Sequence, residues 1–180
     1  EVLIDKRNAI HYENMSIALA ESLANAGQGP IYKMAFGNGG TSVDPTGIIT
    51  YLTPNSTGTN ASLYNQTFNK VVDDQASNNT DPVRNKIETR HVSGTNYTDI
   101  LISCLLDYGE PSGQDAFDTT TNTENLYVFD ELGLISAGAS GTDGRLLTHV
   151  IFHPVQKSLN RLIQIDYTVR VQSLTGFNEV

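Results

Sequence analysis

Tryptophan is missing from the 180 residues, and cysteine occurs once, at position 104. A single cysteine makes no internal disulfide. Cys104 sits inside the apolar run ILISCLL, where a thiol behaves as a small buried hydrophobe. Basic residues are also scarce: 11 Lys and Arg against 20 Asp and Glu give a net charge of −9, and no basic run is longer than Lys6-Arg7. Phosphate backbones are bound by clustered positive charge, so nucleic acid is not an expected partner. No stretch approaches the roughly 18 consecutive apolar residues of a membrane span. The opening EVLIDKRNAIHYENM has no signal-peptide core, so neither a membrane nor an oxidising compartment is expected. Six Asn-X-Ser/Thr sequons, at Asn14, Asn55, Asn60, Asn65, Asn78 and Asn96, would suit a secreted glycoprotein, but a chain rich in Asn, Ser and Thr produces them by chance, and without a signal or disulfides chance is the expectation.

What is present fits a globular domain with a real core, at 38% hydrophobic and 17% charged residues. Ala9, Tyr12, Ser16, Leu19, Leu23 and Ala26 recur at spacings of three and four, and Ile10 and Ile17 widen the arc. That pattern predicts a helix over Lys6–Ala26, closed by Gly27 and Gly29-Pro30 and roughly 30 Å long. Such a helix either covers a sheet face or packs against a neighbouring subunit.

Ile31–Phe36 reads as a strand ended by Gly37-Asn38-Gly39-Gly40, which is turn chemistry. The Lys-Ser/Thr pair of a phosphate-binding loop is absent. From Thr41 to Asp81 the chain is polar and full of turn formers, a surface excursion with a short strand at Gly47–Leu52 and a helix turn or edge strand at Tyr64–Val72. It is expected to contact a partner or to order on assembly. Strands follow at Lys86–Ser93 and at Tyr97–Asp107, the latter apolar on both faces and so central. Gly109–Thr123 is loop.

Leu126–Gly138 (LYVFDELGLISAG) reads as a strand that Asp130-Glu131 interrupts as a bulge or bend, followed by a glycine-rich turn and a second strand at Arg145–His153. Asn160–Gln172 has the cleanest period-two alternation, with Ile163, Ile165, Tyr167, Val169 and Val171 on the buried face. The fold class is therefore mainly β, an antiparallel sandwich-like domain with one long N-terminal α-helix. Residues 1–30 form a helical segment and 31–180 a single β domain, with the polar excursion at 41–81.

Chemistry has few candidates. His149 and His153 have a metal-ligand spacing only on a helix; on a strand they stand roughly 13 Å apart. Asp130 and Glu131, neighbours on a strand, point to opposite faces, which favours a structural or interface role over acid–base work. Ser140 lies in Gly138-Ala139-Ser140-Gly141-Thr142, which lacks the last glycine of a nucleophile elbow. The residues point to no catalytic, cofactor or metal site and to no enzyme.

The order of landmarks is informative. MAFGNGG (Met34–Gly40) is followed by the polar excursion, a central apolar strand, FDELGLIS (Phe129–Ser136), an Asp143-Gly144 turn and a final alternating strand. This arrangement resembles the attachment domain of the tail-collar fibre family of tailed bacteriophages, with its "ALGxG"-like segment, its "EIGLF" element and its Asp-Gly turn. Phe36, Gly37 and Gly39 match the first; Glu131, Leu132, Gly133 and Leu134 match the second. The likeness covers about residues 31–172. The leading helix is additional, and the sequence ends at Val180, where a fibre would continue into a shaft.

The resemblance implies a structural adaptor of the virion, in the tail at the baseplate, the fibre attachment or the neck/collar. Its expected partners are other virion proteins and copies of itself. The virion, assembled in the bacterial cytoplasm, is the expected location. The alternatives are a carbohydrate- or receptor-binding β module of a virion surface, or a capsid decoration protein. Ile10, Tyr12, Ile17, Leu19 and Leu23 on the helix, with Asp130 and Glu131, are the expected interface residues.

Overall fold

The computed structural model describes residues 1–111, 128–158 and 160–173. Among these the chain is mainly β, and every strand pair is antiparallel. The larger sheet is built on β8 (Val128–Ala137), which lies between β2 (Ile31–Gly37) and β10 (Thr148–Gln156). Beyond β2 lies β5 (Gln66–Val71), and beyond β10 lies β1 (Ala9–Ile10); the short β9 (Asp143–Leu146) also pairs with β8. Central placement accounts for the composition of β8, since Phe129 through Ser136 are all buried.

The acidic pair does not interrupt β8. The irregularity lies opposite, in β10, where pairing jumps from Ile151 (facing Glu131) to Val155 (facing Phe129). Pro154 falls in that jump, where its missing N–H leaves no gap in a ladder.

A second sheet has the order β11 (Ile163–Gln172), β7 (Tyr97–Leu106), β6 (Lys86–His91). Its Ile102, Cys104, Leu106, Tyr167 and Val169 pack with Met34, Phe36, Leu132, Leu134, Val150 and Phe152 of the first sheet in one hydrophobic cluster. The alternation read for β11 has the right register. Tyr167 and Val169 are buried, Ile163 and Ile165 pack partly buried against the core, and Val171 at the strand end is exposed.

Two further expectations are corrected. The helix is α1 (Tyr12–Leu23), 12 residues rather than the span Lys6–Ala26. Ala9 and Ile10 pair instead with His149 and Thr148, and His11 caps the helix by accepting the Asn14 N–H on Nδ1 at 3.2 Å. Asn25 adopts positive φ just past the end. The helix also faces the other way from the stripe read in the sequence. Asn14 and Ala18 are buried, whereas Tyr12 is 80% and Leu23 88% exposed.

The excursion, for its part, is not left to partners for its order. It contains β3 (Thr41–Val43) paired with β4 (Ile49–Tyr51), and its last part, β5, joins the larger sheet. Leu63 and Val72 from it are buried. Local composition misses this because the groups that hold the excursion are polar side chains far away in sequence.

Candidate functional site

The site is a pair of adjacent carboxylates on β8 and the loops they hold. Strand β2 ends at Gly37, directly opposite Glu131. A Cβ on Gly37 would come within 2.5 Å of Glu131 Oε1, so only glycine lets the carboxylate rise there. Glu131 Oε1 then accepts the N–H of Gly39 at 3.1 Å and of Asn65 at 2.8 Å. Its Oε2 accepts the N–H of Tyr64 at 2.9 Å and Nε2 of His149 at 2.9 Å. Asp130 takes the next amides along: Gly40 N–H on Oδ1 at 2.9 Å, and Thr41 N–H on Oδ2 at 2.9 Å together with the Thr41 hydroxyl. The amides of one loop are thus divided between two carboxylates that leave the strand on opposite faces.

His149 extends the network. Its Nδ1 accepts the Asn55 N–H at 2.7 Å, so the lone pair is on Nδ1 and the proton that Glu131 receives is on Nε2. The Tyr64 ring packs against the imidazole with centroids 5.6 Å apart. Burial pushes the Glu131 carboxyl up. The hydrogen bonds from His149, Asn65, Tyr64 and Gly39 outweigh it and hold the group below the usual carboxylate range.

Two further histidines hold the same excursion. His11 hydrogen-bonds Gly58 O through Nε2 at 2.9 Å, and His153 Nδ1 meets the Tyr51 hydroxyl at 3.1 Å. His149 and His153 therefore serve different points of one loop, one buried and one exposed, and share no ligand position. No group of three or more potential metal-ligating side chains occurs among the described residues.

Chemically, a carboxylate–imidazole pair has the parts of a proton-transfer dyad. Here neither nitrogen of His149 is open to a substrate, because one faces Glu131 and the other the Asn55 amide, and both side chains are fully buried. What this arrangement does is fix chain segments 37–41 and 64–65 to β8 and residue 55 to β10.

Comparison with protein-family models, curated proteins and solved structures found no match.

The residues expected at an interface divide into two groups. Asp130 and Glu131 are interior, bonded to their own chain. On the N-terminal segment, Ile10 is in β1 and packs against the core, and Ile17 is half-buried. Tyr12, Leu19 and Leu23 are exposed on α1, spaced seven and four apart along one outer stripe. His11 and Asn14, which the sequence reading passed over, lock the helix to the sheet. Asn14 Nδ2 donates to Leu146 O at 2.9 Å. A histidine just ahead of the helix with an asparagine three residues on was the available signal for a cap, and the predicted start at Lys6 hid it.

Proposed function

We propose that this chain is a structural adaptor of a bacteriophage virion, in the tail at the baseplate, fibre attachment or neck/collar, working through protein–protein contacts. The observation that carries the reading is the joining of the three short motifs into one unit. Met34–Gly37 pairs with Glu131–Leu134, the glycines after it donate to Asp130 and Glu131, and the strand begun by Asp143-Gly144 pairs with the far end of β8. The glycines are sterically required there. A Cβ on Gly133 would come 2.5 Å from Thr148 O, and one on Gly144 would come 2.8 Å from Ser136 O. Segments about ninety residues apart in sequence thus constrain one another atom by atom, which is how a family fingerprint arises from packing.

In this reading the two sheets form a sandwich-like body and the outer stripe of α1 meets a neighbour. The buried carboxylate network supports a scaffold role because it gives the loops fixed shape and leaves no reactive atom open. The test is mass spectrometry and labelled electron microscopy of tailed-phage particles whose genome encodes the chain. The protein should be present in symmetric copy number and located on the tail. Particles without it overturn the proposal, and a sugar-dependent rise in melting temperature of the isolated protein would favour the glycan-binding alternative.

A further inference from the structure

Among the described residues, strand β11 is the outer strand of its sheet, hydrogen-bonded to β7 alone. It pairs without a bulge along its whole length, from Ile163 opposite Leu106 to Gln172 opposite Tyr97. Ser173 N–H continues the same ladder by donating to Asn96 O at 2.9 Å. Odd-numbered residues therefore bond to β7, and the even-numbered ones turn their N–H and C=O to the open edge. Thr168 O on that edge is reached by Asn8 Nδ2 at 3.5 Å, the limit of a hydrogen bond.

Other edges are short or guarded by charge. β1 has two residues, and β6 has six, with exposed Glu88 and Arg90. β11 is ten residues long, pairs with β7 without a bulge and carries no proline or lysine; its exposed charges, Asp166 and Arg170, are of opposite sign, and residues 1–6 share a cavity with 162–167.

The sequence of this edge is complementary to itself. Antiparallel pairing with a second copy about Thr168 sets Asp166 opposite Arg170 of the second copy, and Gln164 opposite its Gln172, on the outer face. On the inner face Tyr167 meets Val169 and Ile165 meets Val171. The even-numbered pairs are those whose backbone groups face outward, so they exchange N–H···O bonds. Centring the pair on Asp166 or on Arg170 would instead set like charges opposite each other. Arg170 is already aligned by Asp99, at 2.7 and 3.0 Å, and lies 3.9 Å over the Tyr97 ring. Asp166 accepts from Gln164 at 3.1 Å and makes no ion pair among the described residues.

We propose that β11 is a homodimerisation edge, two copies of this chain pairing antiparallel about Thr168 so that their three-stranded sheets become one. Asn8 gives up its long bond to Thr168 O, which the Thr168 N–H of the second copy replaces. The proposal names a surface for the self-association that the adaptor reading includes, and it is measured without a virion. Particles lacking the chain would sink that reading and leave this one standing.

The test is sedimentation velocity of the full chain over a wide concentration range. The wild type should show a concentration-dependent dimer. Thr168→Pro removes an N–H that faces the open edge and spares the ladder to β7. Asp166→Arg places like charges opposite each other. Both should abolish the dimer with the circular dichroism spectrum unchanged. Thr168→Cys should give a disulfide-linked dimer on mild oxidation, because opposed residues of a hydrogen-bonded antiparallel pair lie about 5.5 Å apart. Ser77→Cys, on the exposed surface of the excursion, should not. A chain that stays monomeric overturns the proposal. So does a dimer that survives Asp166→Arg and is not trapped by the Thr168→Cys disulfide. These two variants decide the matter even where Thr168→Pro does not fold.

Discussion

Glu131 and His149 face each other across β8 and β10 at 2.9 Å, and neither has solvent exposure. The imidazole is neutral, because Nδ1 is occupied as an acceptor for the Asn55 N–H. The negative charge of Glu131 is therefore not neutralised by a cation; it is solvated by three backbone N–H groups and one ring N–H. A buried anion held in this way ties its stability to every donor around it.

Glu131→Gln tests that dependence. An amide carries two N–H groups where the carboxylate offered acceptors, so at least one of the Gly39, Tyr64 and Asn65 amides loses its partner. Reversing the His149 tautomer to accept from the new amide would put an N–H on Nδ1 against Asn55. With no satisfactory arrangement, the cost should be on the order of 3–5 kcal/mol in urea unfolding. A loss under about 1 kcal/mol would mean that water replaces the carboxylate.

Acid should act through the same group. The Glu131 carboxyl lies below its ordinary value in the folded state, so its contribution is present above the unfolded value, about 4.3. It is lost as pH falls through the folded value. Unfolding free energy measured downward from pH 7 should hold until this carboxylate range and then fall. The fall should be shallower in Glu131→Gln. Equal slopes in the two proteins would assign acid sensitivity to other carboxyls.

Gly133 and Gly47 make a matched pair for the packing argument. A methyl at Gly133 meets Thr148 O at 2.5 Å and Leu146 Cδ1 at 2.8 Å, and neither backbone nor core can withdraw. Gly47 has φ +86° but nothing within 4 Å of its added Cβ. Gly133→Ala should therefore cost about 2–3 kcal/mol, and Gly47→Ala about 1 kcal/mol from backbone strain alone. Thermal unfolding of the two variants is the measurement, and the reverse order would contradict the account.

Cys104 is fully buried among β7 and its neighbours, and burial pushes its thiol up to about 12. It should be inert to thiol reagents in the folded protein and react at once in denaturant. Fast labelling in native buffer would show that β7 opens readily.

Much of the fold was legible because strands advertise themselves by period. β7 reads as central since both faces are apolar, and β11 reads as one-sided since Ile163–Val171 alternates. The helix was half legible. Tyr12, Leu19 and Leu23 have helical spacing and hydrophobic character, yet the face that packs is carried by His11, Asn14 and Ala18. Two of these are polar and bond to Gly58 O and Leu146 O, contacts that no local pattern encodes. The site was illegible for the same reason. Asp130 and Glu131 could be singled out as an odd pair in an apolar strand, but their partners are backbone amides, and an amide has no letter in a sequence.

The outer stripe of α1 supports the last prediction. Tyr12 and Leu23 are almost bare, and Leu19 is more than a third exposed, while the helix beneath is fixed to the sheet through β1, His11 and Asn14. Rigid exposed apolar side chains in a row mark a contact surface more than a loose end does, since little conformational freedom is left to lose on binding. Deleting everything before Gly27 would not isolate this surface, because it also removes β1, the His11 cap and the buried Asn14 and Ala18, and the sheet would lose its edge. Point changes separate the roles. Tyr12→Ser with Leu23→Glu should leave folding free energy within about 0.5 kcal/mol of the wild type, as exposed positions do. Asn14→Ala should cost about 1–2 kcal/mol, because stranding the Leu146 carbonyl is partly offset by removing the buried Oδ1 that has no hydrogen-bond partner. Under the proposed adaptor role, the double variant should fail to incorporate into particles although it is folded. If it incorporates as well as the wild type, the contact lies elsewhere, and the exposed edges of the excursion, β3 and β4, are the next surface to change.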